Sequence, residues 1–355
     1  MLAAGTVDGR LSLVDAETGV VRWEVRNDPG GYVRSVDMSP DGRFVASVSE
    51  SEDFWRLWDV ASGVVSMTGA RHDGTGACSC RVNRSGFRRS LDEGCPVLAH
   101  TSGLCAVAFS PCGQKLATAD LDRAVILWLV DTGKAKHRLE AGGNVTSFSA
   151  DGTLLASGSD DGSIRVWDAS TGALLRTITN THTPFVNSVN FSPTKSRWLA
   201  SAGGDEAIHV WDVDSGEIVK TFKGCLSAVF SPDGRTIGTF DTRDIDSVIL
   251  VDVEEKLRPR RIGHGDEIFS AGFFGKGEKM ATGSAGGGCK VWDLADGALL
   301  KTIELRSPVS SLAWGCNWVR DTERGVAFAM GQHPRLGARS QVSSSLLSLQ
   351  VLEGR

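Results

Sequence analysis

The sequence predicts an all-β fold in which about seven four-stranded antiparallel sheets pack radially around one axis. Three observations carry that prediction. The first is composition. Of 355 residues, 42 are glycine and ten are tryptophan, and the apolar residues fall in short alternating runs, the pattern of many short strands joined by tight turns. The second is self-similarity, because "LASGSDDGSIRVWDASTG" at 155–172 returns as "LASAGGDEAIHVWDVDSG" at 199–216. The third is a period. A strand signal ending in a large apolar residue, usually followed by Asp, recurs at Val14, Trp58, Trp128, Trp167, Trp211, Val251 and Trp292, at separations of 44, 70, 39, 44, 40 and 41 residues. Setting aside an insertion of roughly thirty residues near 73–100 brings the outlying interval back to a period of about forty.

Each period carries four strand signals. The first is an apolar alternation ending in a turn, as in "FVNSVNFSP" at 185–193. Ser-Pro-Asp-Gly at 39–42 and 231–234 suits a type I turn, with Pro presetting the first central φ. The second and third are "LLASGS" (154–159) and "SIRVWD" (163–168), separated by a tight Asp-Gly hairpin. "STG", "DSG" or "ETG" then leads to the fourth, as in "ALLRTI" (173–178). A lone sheet of this kind cannot bury both faces, whereas a ring of about seven covers every face and leaves only short edges.

The chain begins at a second-strand signal, "MLAAGTVDG", and "SPVSSLAWG" at 307–315 offers the missing first strand. Joining them predicts seven blades, the N-terminal one completed by a C-terminal strand. The alternative is eight blades, one of them partial, drawing on "RGVAFAMGQ" (324–332) and "SLLSLQVL".

On these residues the chain resembles the WD-repeat β-propeller family over about 1–331, with the insertion loop 73–100 and a Ser-rich tail at 332–355. The resemblance implies a buried network in each blade, of His before the first strand, Ser or Thr on the second, Asp in the hairpin, and Trp. Such a set is self-satisfying, since Trp only donates, the hydroxyl donates and accepts, the carboxylate accepts and His bridges. His100, Thr118, Asp122 and Trp128 fit the third blade in full, and His182, Ser201, Asp205 and Trp211 the fifth. The fourth keeps Ser157, Asp161 and Trp167 but reads "AGGNV" where His belongs. The seventh keeps His264, Thr282 and Trp292 with Gly286 in the Asp position, and the sixth has Val251 for Trp. The second carries an extra residue before Trp58, so the second and sixth blades are expected to be the irregular ones.

A net charge of −5 provides no basic field for a nucleic-acid backbone. No apolar run approaches a bilayer span, and the opening residues lack a signal-peptide pattern. Eight scattered cysteines read as reduced thiols, so an intracellular protein, cytoplasmic or nuclear, is expected. Catalytic constellations are absent. "GSAGGGCKV" (283–291) lacks the Gly-Lys-Ser/Thr ending of a phosphate loop and lies between two strands. The stretch 72–100 contains His72, Cys78, Cys80, Cys95 and His100, enough ligands for zinc on paper, yet C-x-C is a weak signal and His100 is already assigned to a blade. A solvated loop is the expectation there, with no cofactor and no metal.

A propeller without catalytic constellations offers rigid surfaces. In the family it resembles, the rim bearing the fourth-to-first and second-to-third strand loops is the usual partner surface. The residues placed there are Tyr32, Arg34, Leu121, Asp160, Phe185, Asn187, Glu267 and Phe269, of which aromatic and Arg side chains suit binding hot spots. The expected function is a non-enzymatic scaffold or adaptor for protein–protein interactions, with protein partners, no direct nucleic acid, no membrane and no small-molecule substrate. The alternatives implied by the resemblance are a ubiquitin-ligase substrate receptor, a subunit of an RNA- or chromatin-handling complex, and a propeller enzyme. "WDVAS", "WDAST", "WDVDS" and "WDLAD" lack the W-D-x-R associated with the first of these.

Overall fold

A computed structural model describes residues 1–27, 31–49, 51–52, 54–69, 71–72, 78–79, 100–179, 181–223, 227–240 and 245–314. Within them lie seven four-stranded antiparallel sheets and a two-residue ladder pairing Arg71–His72 with Cys78–Ser79. Blade 1 contains Leu2–Thr6, Arg10–Val14 and Val21–Arg26, and its innermost strand is Val309–Trp314 from the far end of the sequence. Blades 2 to 7 come in chain order, with innermost strands Val33–Met38, Leu104–Phe109, Val145–Phe148, Val186–Phe191, Ala228–Phe230 and Ile268–Phe274. The seven-bladed ring closed by its two ends is therefore the observed architecture. The alternative eighth blade, the tail 332–355 and most of the 73–100 insertion fall outside the described residues.

The strands alternate, but both faces are apolar. On the second strand of blade 5, Leu199 packs with blade 4 residues such as Val166, while Ala200 and Ala202 pack with blade 6 residues such as Phe230. Seven buried clusters result, one per blade interface, including the Leu2–Leu312–Val291 cluster that joins blades 7 and 1. This is why a single blade has no independent core and why the repeat must close on itself.

Two further sets of contacts join the blades. The innermost strand has one edge facing the axis, where its N–H groups lack a ladder partner. Hydroxyls of the preceding blade meet them, as Ser311 Oγ accepts from Val36 N (3.1 Å), Ser147 Oγ from Phe191 N (3.1 Å) and Ser270 Oγ from Leu312 N (3.1 Å). At the perimeter, each outermost strand extends one long side chain onto the turn before the last strand of the next blade. Trp23 Nε1 donates to Val60 O (2.8 Å), His137 Nε2 meets Ser170 O (2.8 Å), and Arg176 reaches Ser215 O (3.2 Å). Lys220 meets Glu255 (3.0 Å), Arg260 reaches Leu294 O (2.7 Å), and Lys301 closes the circle on Glu17 O (2.8 Å). Met67 packs on Gly133 in the same way. The turns take glycine because φ is positive there and a Cβ at Gly63 would lie 2.9 Å from the Trp23 ring.

Candidate protein-docking rim

Beneath one end of the ring lie the buried networks that fix its loops. In blade 5 the expected set assembles in full. Trp211 Nε1 donates to Ser201 Oγ (2.7 Å), Ser201 to His182 Nε2 (2.7 Å), and His182 Nδ1 to Asp205 Oδ1 (2.6 Å). In blade 3, Trp128 Nε1 donates to Thr118 Oγ1 (2.7 Å), which meets His100 Nε2 (2.6 Å). The acid differs from the expectation. His100 Nδ1 bonds Asp120 Oδ2 (2.8 Å), whereas Asp122 accepts from Thr101 Oγ1 (3.3 Å) at the surface. The reason is the strand's period of two. Asp120 lies on the same face as Thr118 and is fully buried with it, so its carboxylate arrives under the imidazole directly. In blade 5 the equivalent position is Gly203, and the acid must come from Asp205, two residues later.

The incomplete blades show how each absence is filled. In blade 4, which has no His, Trp167 Nε1 donates to Ser157 Oγ (2.9 Å). Gly143 has φ of 108°, and a Cβ there would fall 2.2 Å from Gly158 O, so only glycine allows this close approach of the entering loop to the second strand. Asp161, without a His, pairs with Arg165 (2.8 Å). In blade 2, Trp58 donates to Ser47 Oγ (2.8 Å), and Ser47 donates to Asn27 Oδ1 (2.7 Å), so Asn27 stands in for His. Spacing misses it because Asn27 precedes its first strand by six residues, whereas His100, His182 and His264 precede theirs by four. In blade 7, His264 meets Thr282 through Nδ1 (2.7 Å), and Asp266 caps the Gly286 N–H in place of a hairpin acid. Blade 6 has Val251 for Trp and an innermost strand of only three residues, Ala228–Phe230, as its sequence irregularity predicts.

Burial, with Lys290 nearby, pushes the His264 imidazole down to about 4, Asp266 opposing only in part. The folded pKa lies below the unfolded value, so the unfolded chain takes up the proton first. Stability is full above about pH 6.5 and is lost as pH falls toward 4, by on the order of 2–3 kcal/mol. Urea titrations at pH 7 and pH 4.5 should therefore show a smaller loss of stability in His264→Gln than in the native chain. An equal loss in both would remove His264 as the source.

The loops above these networks interlock between blades. Leu104 N donates to Glu52 O (3.1 Å), Val186 N to Ser159 O (3.1 Å) and Ile268 N to Ile245 O (2.8 Å), each tying an entering loop to the preceding hairpin. On this platform Tyr32 and Arg34 are brought together, the guanidinium 5.4 Å from the ring centroid and donating to the phenol oxygen. Ser49 Oγ holds the Tyr32 carbonyl (3.0 Å). Leu121 is 40% exposed, Asp160 is exposed, and Phe185, Asn187 and Glu267 are half-buried. Phe269 departs from its expected presentation, since it is buried at 8% exposure. The eight residues are spread over blades 2, 3, 4, 5 and 7 rather than gathered at one spot. Acidic side chains are exposed on the hairpins, with Arg123 beside Asp122. Asp122 and Asp160 have no ion pair among the described residues, and Asp205, which bonds His182, and Glu206 are exposed at the blade 5 hairpin. Cys105 is no nucleophile. It is fully buried, donates to Asn144 O (3.1 Å), and is pushed up to about 12 by burial.

The WD-repeat model ("WD domain, G-beta repeat") matches residues 24–59, 95–128, 133–168, 172–212 and 257–293, just over half of the chain. The chain belongs to the WD-repeat family. Among curated relatives it is 40% identical to "WD repeat, SAM and U-box domain-containing protein 1" of Danio rerio over 86 residues, 23% of this chain and 18% of that protein. It is 32% identical over 212 residues to "WD repeat-containing protein WDS homolog" of Arabidopsis thaliana, covering 56% of this chain and 40% of the other. A third is "Ribosome biogenesis protein WDR12 homolog" of Nematostella vectensis, 30% identical over 198 residues, 51% of this chain and 46% of that one. The chain thus aligns with less than half the length of each of these relatives. WD-repeat proteins act in general as non-enzymatic platforms for protein interaction. Among the described residues no helix is long and apolar enough to cross a membrane.

Proposed function

We propose that this WD-repeat chain is a scaffold that holds a protein partner on the rim formed by its entering loops and hairpins. The single observation carrying this reading is the Tyr32–Arg34 pair on a platform of interlocked loops. A pre-ordered aromatic and guanidinium lose little conformational freedom on binding, the property that makes such residues interface anchors. Phe185, half-buried on the same rim, is the second anchor. Asp122 and Asp160, outside any ion pair among the described residues, favour a partner segment bearing Lys or Arg. The relatives carry names as different as a SAM and U-box domain protein and a ribosome biogenesis protein, which fits one frame carrying different grafted sites. We place this chain inside the cell, in cytoplasm or nucleus, and treat 1–331 as its propeller domain.

The test is a quantitative pull-down with the native chain and with a Tyr32→Ala/Phe185→Ala double variant, each first shown to unfold at the same temperature. The expected result is loss of at least one reproducible partner, at tenfold or greater, from the variant. Retention of every partner by the variant would overturn the assignment of this rim.

A further inference from the structure

In blade 5 the hairpin acid has a neighbour unlike those in blades 4 and 7. Position two before the third-strand anchor is Arg165 in blade 4 and Lys290 in blade 7. Arg165 pairs with its hairpin acid Asp161, and Lys290 Nζ bonds His264 O (2.6 Å). Both supply a permanent cation just under the rim. Blade 5 has His209 there instead, its Nε2 facing Asp205 Oδ2 at 3.6 Å and its Nδ1 meeting Thr221 Oγ1 at 3.0 Å. The His182 and His209 rings lie 4.9 Å apart and 30° from parallel. One ligand atom from each of His182, Asp205 and His209 falls within a common distance of 4.8 Å.

We infer that His182 Nδ1, Asp205 and His209 Nε2 form a binding site for a divalent transition-metal cation, zinc in the first instance. Two imidazoles and one carboxylate are a familiar donor set for this ion, which takes ligands at about 2.0–2.2 Å and leaves a fourth position for water or a ligand. The Asp205 and His209 side chains are 27% and 13% exposed, so an ion reaches them from solvent and their rotation can bring the donor atoms toward one centre. The cation supplies the positive charge that Arg165 supplies in blade 4. Binding uses the other neutral tautomer: the ring's one N–H proton passes by solvent exchange from Nδ1 to Nε2, which leaves Nδ1 as the lone-pair donor and Nε2 donating to Ser201 Oγ. That second bond fixes the ring, as Thr221 fixes His209 through the nitrogen away from the metal. Because hairpin Asp205 and Glu206 are exposed on the rim, a bound ion stiffens the hairpin and offers its open position to whatever lies above.

The test is equilibrium dialysis of the full reduced chain against zinc, with metal analysis, and cobalt substitution followed by absorption spectroscopy. Three variants accompany it. His209→Arg installs the blade 4 residue, Asp205→Asn removes the carboxylate while keeping its shape, and Cys78→Ser/Cys80→Ser/Cys95→Ser removes the three thiols of the insertion. The expected result is one tightly bound zinc in the native chain and in the cysteine variant. Affinity should fall at least tenfold in His209→Arg and Asp205→Asn, and the cobalt spectrum should lack thiolate charge-transfer absorption. Equal affinity in His209→Arg, loss of binding in the cysteine variant, or no stoichiometric metal in the native chain would each overturn the site. Thermal melts taken alongside show whether His209→Arg keeps the fold, as its tolerance in blade 4 indicates, and Asp205→Asn is the second reading if it does not.

Discussion

Replacing Leu312 by aspartate is expected to abolish cooperative unfolding of the whole ring rather than merely to weaken one blade. Leu312 sits on the innermost strand of blade 1, is fully buried, and pairs in register with Ala4 near the chain's opposite end. Its side chain belongs to the cluster holding blade 7 residues Ala281, Val291 and Ile303 against blade 1 residues Leu2 and Val14. An unpaired carboxylate there must be ionised in apolar surroundings or take up a proton at a cost of several kcal/mol. Domains of this kind retain only about 5–15 kcal/mol in total. Losing this strand also exposes the inner edge of Leu2–Thr6 and removes the hooks of Ser311 to Val36 N and Ser310 to Gly5 O (3.0 Å). Lys301 on Glu17 O then remains across the seam, and an exposed contact of that kind is worth at most about 1 kcal/mol. Calorimetry and tryptophan fluorescence in urea would show a broad, non-coincident transition or an unfolded chain. Leu312→Ala, losing apolar contacts alone, should remain folded but about 2–5 kcal/mol less stable. A native midpoint for Leu312→Asp would mean that 309–314 does not close the ring.

Most of this architecture is legible in the sequence because the repeat states one local solution seven times. The spacing of Trp128, Trp167, Trp211 and Trp292 locates the third strands, and the orphan second strand at the start together with 307–315 locates the closure. What stays hidden is what the repeat does not fix. Asn27 fills the His position of blade 2 from a loop two residues longer than its counterparts, so a spacing rule passes over it. The perimeter contacts join residues of different blades and differ in chemistry, from Trp23 to Arg176 to Lys301, with only their common place at the outer strand to reveal them. Position at the start of the first strand points Phe269 to the rim, yet it is buried, whereas Asn187 at the matching place in blade 5 is half-buried; strand position alone does not fix how far a side chain is covered by its neighbours. His209 is invisible to a motif search, since its meaning arises only from its distance to His182.

The third blade offers the sharpest comparison between motif spacing and geometry. Spacing selects Asp122, four residues after Thr118, as Asp205 follows Ser201. The structure selects Asp120, whose Oδ2 receives His100 Nδ1 at 2.8 Å and whose Oδ1 receives Ala124 N at 2.8 Å, all fully buried or nearly so. Replacing Asp120 by alanine strands the His100 N–H and the Ala124 N–H together, in a pocket where Trp128 and Trp55 lie edge to face at 5.6 Å. Each orphaned buried donor costs about 1–3 kcal/mol, and loss of one partner of a buried pair about 3–5 kcal/mol. Asp120→Ala should accordingly lose about 3–5 kcal/mol. Asp122→Ala removes an exposed carboxylate with one long bond from Thr101, and such a change stays within about 0.5 kcal/mol. Urea unfolding of the two variants side by side decides the matter, because the two assignments predict opposite rankings. Should Asp122→Ala prove the more damaging, the His100 ring takes its acid from the hairpin after all, and the register of the blade 3 turn would have to be redrawn. His100→Ala adds a check on the coupling. If Asp120 acts through the imidazole, the double variant should lose less than the sum of the single losses, since either change alone already breaks the shared bond.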